Sequence, residues 1–166
     1  MTPRPITKRV AIVTAGALVA VGTFAAGVGV AGPEKSRKPA KAEIAALFDG
    51  WNDALRTGDA ATVADRYAKD AVLLPTVSNK VRTDHAGIVD YFEHFLENKP
   101  VGKKIETHIN VLDNNSALDA GVYEFTLTDP DTGAKRVVEA RYTYEYEKRN
   151  GQWKIVNHHS SAMPEG

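Results

Sequence analysis

Apolar positions along the first half of the chain recur at helical spacing. Ile44, Leu47, Phe48, Trp51 and Leu55 fall at i, i+3, i+4, i+7 and i+11, one face of a helix, while Glu43, Asp49, Asn52 and Asp53 take the other side. Gly58 suits the C-terminal cap of that helix. Asp59 then caps a short second helix in which Val63 and Tyr67 share a face. AVLLPT is a short strand ended by Pro75, and VSNKVR reads as a turn followed by a second short strand. Thr83 or Asp84 caps a third helix, with Ile88, Tyr91, Phe92, Phe95 and Leu96 as its buried stripe, broken by Asn98 to Gly102.

Beyond this point the period becomes two. Ile105, Thr107, Ile109 and Val111 point one way, and Glu106, His108 and Asn110 the other. Asp113-Asn114-Asn115 turns the chain into a strand around Leu118 to Thr128, and DPDTG supplies the next turn. Val137 to Lys148 is a long strand, Asn150-Gly151 is a hairpin signal, and Trp153 to Ser161 forms the last strand. Three amphipathic helices and short strands followed by long antiparallel strands make an α+β domain. Long strands joined by hairpins twist and curl, and helices covering one face of a curled sheet leave a conical interior suited to a pocket.

Composition narrows the function. The 166 residues hold 21 Lys plus Arg and 21 Asp plus Glu, so no basic excess exists to neutralise a nucleic-acid backbone. There is no cysteine, which excludes disulfides, thiolate metal sites and cysteine nucleophiles. No metal-ligand spacing such as HExxH and no dinucleotide fingerprint occurs, so neither metal nor cofactor is expected.

The N-terminus differs from the rest. MTPRPITKR is followed by an uncharged apolar run from Val10 to Gly32, the layout of a secretory signal peptide with small residues before a cleavage site. The run is long enough to span a bilayer, so the alternative is an uncleaved membrane anchor over residues 10–32. The expected organisation is a signal peptide or anchor over 1–32, a charged, proline-containing linker over 33–40 and a folded domain over 41–166. Export to the periplasm, cell surface or medium follows, with membrane contact only through the N-terminal segment.

WNDALRTGD, YAKDAVLLPT, the DYF helix and the ending NGQWKIVNHHSSAMPE together resemble the nuclear transport factor 2-like superfamily. More narrowly the chain is similar to the association domain of calcium/calmodulin-dependent protein kinase II and its free-standing bacterial relatives of the SgcJ/EcaC and SnoaL-like groups. The resemblance covers about residues 41 to 165, and the ending G-x-W-x-I-V-x-H-H-S-S-x-M-P-E is its most specific part. It implies a cone-shaped curved antiparallel sheet packed against three helices, a homodimer formed through the sheet or a higher oligomer, and a deep pocket whose cationic side chains hold a carboxylate. Ser160 and Tyr144 stand where the kinase domain has two of its arginines, Arg141 lies three positions before the second, and the kinase domain's helix histidine falls near His85. No catalytic Lys after a Gly-rich loop, no HRD and no DFG occurs, so kinase chemistry is excluded for this chain.

Candidate site residues concentrate in the last strands. His158 and His159 are adjacent and point to opposite faces, so at most one enters a pocket, as a ligand-holding imidazole or general base. Arg141 needs a carboxylate partner or a ligand anion if buried. Tyr142, Tyr144 and Tyr146 share a face, and Tyr123 and Phe125 alternate likewise, giving a core, an interface or a tyrosine rim for an apolar ligand. Tyr123, Arg141, Tyr144, His158 and His159 are therefore the expected pocket residues. Two functions are open. One is an exported, self-associating domain that binds a small apolar or carboxylate ligand. The other is a small isomerase, cyclase or dehydratase with Asp70 or a histidine as proton shuttle.

Overall fold

The computed structural model describes residues 37–164. The segment read as a signal peptide or anchor, and residues 33–36 of the linker, lie outside the described residues. Of the linker's end, Pro39 is buried and Lys38 Nζ donates to the Leu112 carbonyl at 3.1 Å.

The helical stripe of the sequence becomes α1 (Lys41–Arg56), with Ile44, Phe48, Trp51 and Leu55 buried. Gly58 follows with φ +71°, the left-handed turn a side chain rarely adopts. Asp59 accepts from the Ala61 N–H to cap α2 (Ala60–Ala64), and Asp84 accepts from the Gly87 N–H at 2.7 Å to cap α3 (His85–Leu96). The strands are β1 (Tyr67–Leu74), β2 (Val101–Val111), β3 (Ser116–Thr128), β4 (Lys135–Arg149) and β5 (Gln152–Ala162). They form one mixed sheet in the order β1-β5-β4-β3-β2, with β1 parallel to β5 and the other pairs antiparallel. This is the expected α+β architecture. α1 packs on β2 and β3, and α3 on β1.

Three local expectations fail. The second helix ends at Ala64, so Tyr67 does not share a helix face with Val63 but opens β1. The segment after Pro75 contains no second strand: Arg82 meets Leu73 in a single bridge, with backbone bonds of 2.8 and 2.9 Å. Ile105 does not join Thr107, Ile109 and Val111, because the β2–β3 register slips by one residue between Lys104 and Glu106. The extra residue is a bulge, and it reverses the alternation. Gly102 and Lys104 face inward before it, Ile109 and Val111 after it, and Ile105 is left exposed.

The bulge has a sequence counterpart on β3. A Cβ on Gly121 would lie 1.9 Å from the Glu106 carbonyl oxygen, so only glycine lets the bulged strand close. A second tie joins helix to sheet. The buried Asn52 amide donates to the Gly102 carbonyl at 2.8 Å and accepts its N–H at 2.9 Å, pairing with β2 as a strand would. Asn150 and Gly151, at φ +53° and +79°, close the β4–β5 hairpin.

Candidate functional site

Period two on β3, β4 and β5 sends Tyr123, Phe125 and Leu127, then Ala140, Tyr142, Tyr144 and Tyr146, then His158 and Ser160, toward the helices. Helix α3 brings Tyr91, Phe92 and Phe95, α1 brings Trp51, and the end of β1 brings Leu73, Pro75 and Thr76. Between them lies a narrow cavity, with about 60 Å³ in which the centre of a water-sized body can move. Its 15 lining residues include no Asp, Glu, Lys or Arg.

The polar groups in this apolar shell form one line. Trp51 Nε1 donates to Tyr67 Oη at 3.1 Å, and Tyr67 Oη lies 2.9 Å from His158 Nδ1. His158 Nε2 lies 3.4 Å from Tyr123 Oη, which donates to Ser160 Oγ at 2.5 Å. Ser160 Oγ in turn lies 2.5 Å from Thr76 Oγ1. The direction of the bonds follows from Tyr123. Its proton is spent on Ser160, so Nε2 carries the hydrogen between His158 and Tyr123. The neutral ring then has Nδ1 as its acceptor, and Tyr67, which accepts from the indole N–H of Trp51, donates its own proton there. This is the neutral Nε2–H tautomer.

Burial, with the neighbouring His159 charge adding to it, pushes His158 down to about 3, so the ring is neutral at physiological pH. The ring stacks on Tyr144 and meets Trp51 edge-on, with centroids 5.6 Å apart and planes at 88°. Tyr144 therefore backs the histidine and does not line the cavity; its hydroxyl is buried without a partner, as is that of Tyr146.

The other expected pocket residues lie elsewhere. Arg141 and His159 occupy the opposite face of the sheet, because each is an odd number of positions from Tyr144 and His158 on its strand. There Arg141 pairs across with Ser161, and Thr143 with His159, around a separate hollow of about 310 Å³. Asp70 is exposed in β1 and ion-paired with Arg149, which holds its carboxyl below the usual range; it does not line the cavity. His85 contacts Asp65 at the surface. Among the described residues no group of His, Asp and Glu is arranged to hold a metal.

Nothing local in the sequence marks Tyr67, Trp51 or Thr76 as residues of the site. Tyr67 and Thr76 reach His158 and Ser160 only through the parallel β1–β5 pairing, where Leu73 lies beside His158 across more than 80 residues. That contact has no local pattern. Ser160 did have one, since it lies two residues from His158 and shares its face.

The family model of the calcium/calmodulin dependent protein kinase II association domain matches residues 40–164. No curated protein matches this chain. Among solved structures, a Xanthomonas campestris protein named as such an association domain is 58% identical over 77% of this chain and 91% of its own, with a TM-score of 0.76. The association domain of the C. elegans kinase shares the fold at 14% identity and TM-score 0.60, over 74% of this chain and 95% of its own. A type 2 hexachlorocyclohexane dehydrochlorinase, LinA, does so at 16% and 0.62, over 74% of this chain and 84% of its own. Proteins of the nuclear transport factor 2-like superfamily have the same fold. A cone of this architecture, matched end to end over its folded part, belongs to the calcium/calmodulin-dependent protein kinase II association domain family.

Proposed function

We propose that this chain is an exported, self-associating domain that holds a small apolar ligand inside its cone and carries out no kinase chemistry. The observation that carries the reading is the cavity. An aromatic and aliphatic shell surrounds a single line of hydrogen-bonded polar groups, the usual chemistry of a small-molecule site. Proton-transfer catalysis has less support. Asp70 is held by Arg149 outside the cavity, and both nitrogens of His158 are already hydrogen-bonded.

Self-association is supported by family membership and by the outward face of β3, where Leu118, Ala120 and Val122 form a half-buried apolar row beside Arg141 and Thr143 of β4. Export rests on the basic start and apolar run of residues 1–32.

Native mass spectrometry of the purified protein tests the ligand, and light scattering the assembly. The reading expects a dimer or larger species carrying a small molecule released on activation. A ligand-free monomer that accepts no added small molecule would overturn it. Cell fractionation that finds the protein only in the cytosol would overturn export.

A further inference from the structure

The line of polar groups has a count that decides what the cavity offers. Trp51, Tyr67, His158, Tyr123, Ser160 and Thr76 each contribute one hydrogen, and five contacts join the six groups. With the direction fixed by the Tyr123 bond to Ser160, one hydroxyl hydrogen remains unspent, and it sits on the Ser160–Thr76 pair at the cavity wall. The surrounding walls supply no charge of either sign.

We infer that the cavity takes an uncharged carbonyl compound on a small apolar frame, its oxygen accepting the spare hydroxyl hydrogen of the Ser160–Thr76 pair. The inference rests on the ligand-binding reading above and narrows it. A carboxylate would enter an aromatic cavity with no cation to meet it, a heavy desolvation cost for one hydrogen bond. A hydrocarbon fits the walls and leaves the hydroxyl hydrogen unsatisfied. The ketone or aldehyde oxygen answers both conditions. Arg141, the one cation expected at the pocket, lies on the other face of the sheet, where it cannot change this balance.

The count also says which substitutions are informative. Removing Thr76 alone leaves the spare hydrogen on Ser160, and removing Ser160 alone leaves Tyr123 and Thr76 each with one. Only the double variant Thr76→Val, Ser160→Ala takes the free donor away from that part of the wall, leaving it on Tyr123, which lines the cavity at another point.

Acetophenone, ethylbenzene and benzoate present the same ring with a neutral acceptor, no acceptor and an anion. Their dissociation constants for the purified full-length protein at pH 7 can be read from methyl NMR shifts of Leu73, Val138 and Ala140. The inference expects acetophenone to bind about fivefold or more tightly than ethylbenzene, with benzoate weakest. In the double variant the carbonyl loses its partner at the Ser160–Thr76 pair, so the first ratio falls while ethylbenzene binding persists; an unchanged ratio would overturn the assignment to that pair. Ethylbenzene equal to acetophenone, or benzoate the tightest, would overturn the inference and leave the ligand-binding reading in place. Binding of none of the three would overturn both. A double variant that loses its folded methyl spectrum is replaced by Thr76→Val, Ser160→Gly in the same titration, with the same expected ratio.

Discussion

The imidazole of His158 lies against the ring of Tyr144, with centroids 4.1 Å apart and planes tilted by only 26°. Tyr144 is fully buried, and this stack, with Trp51 edge-on, keeps the histidine away from water and uncharged.

A pH dependence of stability follows. In the unfolded chain His158 takes up a proton near 6.5, and in the fold only near 3. Between these values the unfolded state binds more protons, so stability falls as pH drops. The loss approaches about 1.4 kcal/mol per pH unit, or about 2 kcal/mol at pH 5 relative to pH 7. His94, raised by the Asp90 carbonyl, runs the other way, but it is exposed and its effect is smaller. The lowered carboxyls of Glu43, Asp59, Asp70, Asp113 and Asp129 are exposed and act mostly below about pH 5, and they are common to wild type and variant. Urea unfolding of wild type and His158→Gln at pH 7 and 5 checks this. The wild type weakens and the variant does not; equal weakening in both would contradict the assignment.

Two glycines give opposite outcomes on substitution by alanine. Gly121→Ala forces a methyl into the Glu106 carbonyl of the bulged strand, and backbone on both sides prevents relief; the expected loss is about 3 kcal/mol or more. Gly50 lies in α1, where a Cβ would meet Arg66 Nη1 at an ordinary 3.5 Å. Gly50→Ala should stabilise by about 0.5–1 kcal/mol through helix propensity. Thermal melts of the two variants are the check.

Asn52→Ala removes both bonds to Gly102 and strands a buried N–H and carbonyl in β2. The expected cost is about 2–4 kcal/mol by equilibrium unfolding. Hydrogen exchange at the Gly102 amide should accelerate in step.

Much of this fold could be read in advance, and the reason is local. The stripe of α1, the Asp59 and Asp84 caps and the Asn150-Gly151 turn depend on residues a few positions apart, and all are where pattern and turn chemistry put them. The bulge at Ile105 was hidden because its cause, Gly121, lies on another strand. The site was half legible for the same reason. Alternation placed Tyr123, His158 and Ser160 together and separated His158 from His159. Tyr67 and Thr76 join them through a parallel pairing between the two ends of the domain, and Arg141, three positions from Tyr144, faces the other side because the register between them runs without a bulge.

Asp119 is fully buried, held by Lys104 and by a 3.0 Å bond from Tyr142 Oη. Lys104 is itself largely covered, lying over the Phe48 and Tyr142 rings. Asp119→Ala leaves that ammonium without its partner and should cost about 3–5 kcal/mol. Replacing both partners, Lys104→Met with Asp119→Leu, should recover most of the loss. A double variant no better than the single one in urea unfolding would contradict this.

The most direct test of a ligand-holding cone is the position of a bound neutral ligand. Intermolecular nuclear Overhauser effects from acetophenone, recorded on the purified protein, should reach the methyls of Ala140, Thr76 and Leu73. Contacts to Thr143 and the His159 ring instead, around the hollow on the outer face of the sheet, would place binding outside the cone and contradict the account.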